Sequence, residues 1–271
     1  MDSNAGRLKP GWAVVTGASS GIGLVFAREL ARRGYAVLAV ARRRDRLEAL
    51  AADAAADGQR VEPFMADLAT DQGLSSLVGR LRELAPVALL VNNAGVAAGG
   101  DFHAVPLTDQ VGSVRLNIDA VVTLTYQVLP PMMRDRRGAI INVASVVAFQ
   151  PFPHFAVYAA SKAFVLSFTE AVAEEVRGSG VRILAICPGA ARTEITVFAH
   201  NQGLLGRFPS LTPEEIVGTA LRALDAGRVV KIVGWSNRVL VFLNRVMPRA
   251  AIRRVMGAVA KPPLTTPPQR L

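Results

Sequence analysis

Short β-favouring runs alternate along the chain with longer segments whose apolar residues recur every three or four positions. Trp12 to Thr16, Tyr35 to Val40, Arg60 to Met65 and Val87 to Val91 each predict a strand, as do Ala139 to Val143, Val181 to Ile186 and Val229 to Val233. Between the first two runs, Ile22, Val25, Phe26, Leu30 and Ala31 repeat at helical spacing. Asp45 to Asp57 and Ala69 to Leu84 read as helices, and Leu107 to Arg134 as one long helix. Thr212-Pro213-Glu214-Glu215 opens another, with threonine as N-cap and proline in the first turn. This alternation predicts a single α/β domain: a doubly wound parallel sheet of about seven strands with helices on both faces.

In such a sheet Gly17, Asn93, Ser145 and Gly189 all follow carboxyl ends of strands, so they converge on the rim where open α/β sheets bind ligands. The first of these turns, Gly17-Ala18-Ser19-Ser20-Gly21-Ile22-Gly23, lies between a strand and a helix. Its glycines let the backbone approach a pyrophosphate, whose charge would sit at the helix N-terminus. An acidic residue at the end of the second strand would bind a ribose 2′-hydroxyl and select NAD. The chain has Ala41-Arg42-Arg43-Arg44 there, which suits a 2′-phosphate and so NADPH, with Arg42 the first ligand and Arg43 the second. Arg44 reads as a solvated helix start. Asp67 and Leu68 close the third strand, and the Asp67 carboxylate suits either an adenine amino group or the cap of the next helix. Asn92-Asn93-Ala94-Gly95 reads as a tight turn.

Tyr158 and Lys162 stand four apart in a helical segment, so both project from one face. An ammonium beside a phenol favours the phenolate, and such a tyrosine can exchange a proton with an alcohol or carbonyl oxygen. Taken singly, each feature has a plainer explanation: a core aromatic with a solvated lysine, a turn serine at 145, a polar helix residue at 117. Taken together, T-G-x-x-x-G-x-G, N-N-A-G, Asn117, Ser145, Y-x-x-x-K and P-G-x-x-x-T occur in the order and near the spacing of the short-chain dehydrogenase/reductase family. The chain resembles that family over about residues 10 to 235.

The resemblance implies a Rossmann-like sheet with strand order 3-2-1-4-5-6-7. It implies that Tyr158 is the catalytic acid for carbonyl reduction and the base for alcohol oxidation. Lys162 would bind the nicotinamide ribose and lower the Tyr158 pKa, Ser145 would polarise the substrate oxygen, and Asn117 would hold a water in a proton relay. Thr16, Gly17, Ser19, Ser20, Gly21, Ile22 and Gly23 would hold the pyrophosphate, and Asp67 the adenine beside Leu68. Asn93, Ala94 and Gly95 would line the cofactor pocket, and Pro188, Gly189 and Thr193 would meet the nicotinamide amide. The reading that follows is an NADPH-dependent carbonyl reductase. The alternatives are an NAD-dependent secondary-alcohol dehydrogenase and a cofactor-binding sensor or scaffold without chemistry. The family also implies a homodimer or homotetramer.

The loop after Ser145 carries Val147, Phe149, Phe152 and Phe155, and the stretch after Gly189 carries Ile195, Val197, Phe198, Leu204, Leu205 and Phe208. These favour an apolar or lipid-like substrate, with Val147, Phe149, Phe155 and Phe198 as its contacts. His103, His154 and His200 lack metal-ligand spacing, so no metal is expected, and His154 reads as within reach of the substrate mouth.

Charge changes the picture only at the C-terminus. Of 31 Lys/Arg, nine follow Asp225, the last acidic residue, so the net charge of +10 reflects a basic tail and gives no reason to expect nucleic-acid binding. Residues 1–235 are read as the catalytic domain, 236–260 as a basic, apolar helical extension that Pro248 should kink or break, and 261–271 as a disordered tail. The extension suits either an anionic membrane surface or a lid or subunit contact. Hydrophobic residues make up 51% of the chain, with mean hydropathy +0.31. No segment reads as a membrane span, since Val239 to Met247 is short and carries Arg245. The polar N-terminus and the single cysteine, Cys187, place the protein in the cytoplasm.

Overall fold

The computed structural model describes residues 11–84, 86–191 and 210–260. Its strands are β1 (Trp12–Thr16), β2 (Ala36–Ala41), β3 (Val61–Met65), β4 (Val87–Asn92), β5 (Gly138–Val143), β6 (Val181–Cys187) and β7 (Val230–Ile232). They form one parallel sheet in the order β3-β2-β1-β4-β5-β6-β7. Burial on both faces explains why the inner strands β1, β2, β4, β5 and β6 are largely apolar. Ala13 and Val15 point into one core with Val37, Ala39 and Ile141, while Val14 points into the other with Leu38, Val40 and Ile140.

The first core is covered by α1 (Gly21–Arg32), α2 (Arg44–Ala56) and α7 (Pro213–Asp225). The second lies beneath α3 (Asp71–Glu83), α5 (Ala120–Arg134) and α6 (Ala156–Glu175). Thr212 and Glu215 make the reciprocal capping box that starts α7.

Two expectations need correction. The long helix over 107–134 is α4 (Leu107–Val114), a π turn over Arg115–Asp119, and then α5. The wide turn holds Asn117, whose amide is hydrogen-bonded to groups outside this helix. The second concerns membrane spans. α6, at 20 residues, is long and apolar enough to cross a membrane, but it packs on β5 and β6 and carries the buried Lys162, so it is a core helix.

After β7 the chain forms α8 (Trp235–Val246) and α9 (Arg249–Val259), with Pro248 at the break as the residue before α9. Both helices lean on the catalytic half. Asn237 of α8 lies so close to Gly189 that a β-carbon there would come within 2.4 Å of its Nδ2. Gln150 accepts a hydrogen bond from Asn244 of α8 and donates to Met256 Sδ of α9 at 3.2 Å.

Candidate active site

The glycine turn is stitched to the end of β4. Thr16 Oγ1 accepts from the backbone N–H of Asn93 at 3.0 Å and of Ala94 at 2.9 Å, and it donates to the Val91 carbonyl at 3.3 Å. The Asn93 amide donates to the Thr16 carbonyl at 2.8 Å. Gly23 is required by contact: a β-carbon there would lie 2.3 Å from the Gly17 oxygen and 2.4 Å from Asn93 Nδ2. Gly17 and Gly21 take φ of 69° and 54°, the left-handed region that favours glycine. Ile22 packs against the core beneath the turn.

No side chain caps the start of α1. Thr70 caps α3 and Thr212 caps α7 with their side chains, whereas Ser20 makes no side-chain cap to α1, whose first turn also lacks an acid. Its amide groups suit an anion. The Arg43 guanidinium reaches over this turn and donates to Ser19 Oγ at 3.0 Å and Ser20 Oγ at 2.8 Å. Arg42 is exposed and stands 4.0 Å from Asp67 Oδ2. Of the two arginines, Arg43 is the one in contact with the phosphate turn. Asp67 Oδ1 accepts from the Ala69 N–H at 3.0 Å, and because Thr70 caps α3, Asp67 does not. The Leu68 side chain is buried in the core, which leaves only its backbone for a ligand.

On the same rim stand Asn117, Ser145, Tyr158 and Lys162. A β-carbon on Gly95 would lie 3.1 Å from Asn117 Oδ1 and 3.4 Å from Lys162 Nζ, so these groups share one small space. Asn117 accepts from the Val96 N–H and donates to the Val96 carbonyl, each at 3.0 Å, and also donates to Ser161 Oγ at 3.0 Å. Both N–H groups of its amide are thus engaged, while Oδ1 keeps a second lone pair. Ser161 in turn donates to the Tyr158 carbonyl at 2.7 Å. Lys162 Nζ donates to the Val143 carbonyl at 2.7 Å and lies 5.8 Å from the centroid of the Tyr158 ring.

Burial raises the Tyr158 pKa above its ordinary 10.0, and a hydrogen bond with Ser145 only partly opposes this. The expected lowering by Lys162 is not seen, because the ammonium faces a carbonyl and is itself desolvated. Burial brings the Lys162 pKa down to about 8. Cys187 lies in the same interior, where burial drives its thiol up to about 12. Ser145 also accepts from the Val147 N–H at 3.3 Å, and the Val146 N–H donates to the Pro188 carbonyl at 3.0 Å. The Ser145 loop is thereby fastened to the Pro188–Gly189 turn.

The loop aromatics divide. The Phe155 ring closes against Gly99, where a β-carbon would fall 2.4 Å from it. Phe149 and Phe152 line a groove of about 510 Å³ shared with α6 and with Arg249 and Arg253 of α9, and neither Ser145 nor Tyr158 lines it. His154 Nδ1 sits 2.8 Å from Asp101 Oδ1 and so bridges two loops. Thr193, Ile195, Val197, Phe198, His200, Leu204, Leu205, Phe208 and the tail 261–271 lie outside the described residues.

Beneath the site runs a buried polar chain that the sequence reading did not identify. Asn92 donates to Asn142 at 2.8 Å and to Thr125 at 3.3 Å, and Asn142 donates to Thr169 at 2.9 Å. These bonds tie the ends of β4 and β5 to α5 and α6. An asparagine inside an apolar strand was the available signal. Ser161 was equally visible, as the residue before Lys162.

Comparison with known proteins fits this geometry. The family model described as short chain dehydrogenase matches residues 11–202. A short chain dehydrogenase of Pseudocercospora fijiensis is 37% identical over 198 residues, which cover 70% of this chain and 62% of that protein. The chain thus spans under two thirds of that relative's length. The 17-beta-hydroxysteroid dehydrogenase type 3 of Homo sapiens is 32% identical over 219 residues, 80% of this chain and 69% of that one. Among solved structures, a short-chain dehydrogenase from Sphingobium yanoikuyae in complex with NADPH superposes with TM-score 0.78 at 35% identity, covering 91% of this chain and 95% of that chain.

Proposed function

Because the chain belongs to the short-chain dehydrogenase family, whose members act on CH–OH and C=O groups, we propose that it is an NADPH-dependent reductase of apolar ketones or aldehydes. The observation that carries the reading is the grouping of Ser145, Tyr158 and Lys162 at the carboxyl edge of β4 and β5, beside the glycine turn. NADPH, when bound, supplies the hydride. Thr16, the glycine turn and the uncapped start of α1 hold its pyrophosphate, and Arg43 holds the 2′-phosphate across Ser19 and Ser20. Asn93, Ala94, Gly95, Pro188 and Gly189 wall the nicotinamide end.

Ser145 donates to the substrate carbonyl oxygen and stabilises the negative charge that develops there. Tyr158 gives its phenolic proton to that oxygen, so the product is the alcohol and the phenolate is reprotonated from solvent through Lys162. At neutral pH the Tyr158 phenol is protonated, the form that gives a proton to a carbonyl oxygen. Val147 and Phe155 supply apolar wall, which suits a bulky substrate. The human relative is named for a hydroxysteroid, a substrate of that kind. Exposed Tyr126 on α5 and Phe164 on α6 are suited to contact between copies of the chain. Buried Cys187, the single cysteine, suits a reducing cytoplasm.

The test is NADPH oxidation followed at its absorbance with a panel running from small polar to steroid-like ketones. Faster turnover of the bulky ketones with NADPH than with NADH is expected. Equal turnover of small polar ketones would remove the substrate assignment, and no turnover despite cofactor binding would remove the reductase assignment.

A further inference from the structure

α8 packs with Val241, Asn237 and Asn244 inward. Asn237 turns toward Val233 and Gly189, and Asn244 turns toward Gln150. A row of apolar residues faces out: Trp235 is 78% exposed, Val239 47%, Phe242 64% and Val246 65%. These positions are spaced four, three and four apart, so they form one continuous stripe along the helix. A contiguous apolar surface on a folded domain marks an interaction site.

At the start of the stripe lies a notch of about 420 Å³ between α7, β7 and α8. Arg222, Arg228, Lys231 and Arg238 line it beside Trp235, and no acidic side chain does. Asp225, the acid nearest in sequence, stands 3.8 Å from Arg33. Crowding among these cations shows at Lys231, whose pKa is lowered first by burial and then by Arg238, Arg228 and Arg222. Arg245 follows Arg238 two turns along the same flank of α8.

A second copy docked symmetrically on this face would set four more cations against these four, which charge complementarity opposes. An anionic surface with an apolar layer beneath it complements both halves. We propose that this face seats the protein peripherally on an anionic phospholipid membrane. The α8 stripe enters the headgroup region, and lipid phosphates occupy the notch between Arg222, Arg228, Lys231 and Arg238. The indole of Trp235 lies where the two halves meet, a position that suits its amphipathic ring.

The experiment is co-sedimentation of the full chain with phosphatidylcholine vesicles and with vesicles that also contain phosphatidylserine. Binding to the anionic vesicles only, weakened by salt, is expected. Arg228→Gln with Lys231→Gln should lower the partition coefficient roughly 30-fold, since each basic residue near such a surface is worth about fivefold. Trp235→Ser with Phe242→Ser should lower it at least about tenfold through lost apolar burial. Both variants should keep the parent's melting temperature and turnover of a water-soluble ketone. No binding by the intact protein, equal binding to neutral vesicles, or undiminished binding by either variant would overturn the proposal. So would a fall in oligomer mass in the Trp235→Ser/Phe242→Ser protein with vesicle binding intact, which would give the stripe to a second copy.

Discussion

Lys162 Nζ donates a hydrogen bond to the Val143 carbonyl at 2.7 Å while standing 5.8 Å from the Tyr158 ring centroid. The fold thus holds a buried cation that has one backbone acceptor and, among the described residues, no ion pair with a carboxylate. Its pKa, about 8 against an ordinary 10.5, means that the folded chain disfavours the protonated lysine. The cost is present in full below about pH 8. It is relieved as pH rises toward 10.5, where the unfolded chain also gives up its proton; its size is on the order of 3 kcal/mol. Lys162→Met should therefore melt no lower than the parent at neutral pH, and its relative stability should decline across this window. Denaturant unfolding at a series of pH values tests this, and a pH-independent difference between the two proteins would refute it.

Removing the Tyr158 hydroxyl isolates the proton transfer. Tyr158→Phe should lower kcat by roughly 10²–10⁴-fold, the usual range for losing a positioned acid. Quenching of protein fluorescence by NADPH should change little. Retention of more than a tenth of the parent turnover would show that another group supplies the proton.

Arg43 contacts both serines of the turn, whereas Arg42 is exposed beside Asp67. Arg43→Ala should raise the KM for NADPH by roughly 10- to 100-fold, as expected for charge-assisted bonds to a phosphate, and leave the KM for NADH nearly unchanged. Arg42→Ala should have the smaller effect. Steady-state kinetics with both cofactors distinguish this order from its reverse.

Gly23→Ala adds one methyl group where the Gly17 oxygen would lie 2.3 Å away. Because the clash is with backbone, the turn itself must shift. A loss of roughly 1–3 kcal/mol in stability is expected, along with weakened NADPH binding. A melting temperature equal to the parent's would contradict the contact.

The sheet was legible because its inner strands are buried on both faces and punctuated by turns whose residue types are constrained. Gly17, Asn93 and Gly189 could be placed on one rim from topology alone. Less legible were features that depend on what a side chain finds across the fold. The π turn at Asn117 depends on Val96 and Ser161, which are 21 and 44 residues away. Which of Arg42 and Arg43 meets the glycine turn depends on which guanidinium faces the serines. The direction of the Tyr158 pKa depends on desolvation, which spacing along a helix does not report.

The clasp on Gln150 joins the last part of the described chain to the loop that follows β5. Changes beyond Gly234 therefore alter the contour of that loop while the hydroxyl, phenol and ammonium groups keep their places on the central strands and α6. Substrate range and chemistry can then diverge separately in this protein, because the template that shapes one is sewn on from outside the scaffold that carries the other.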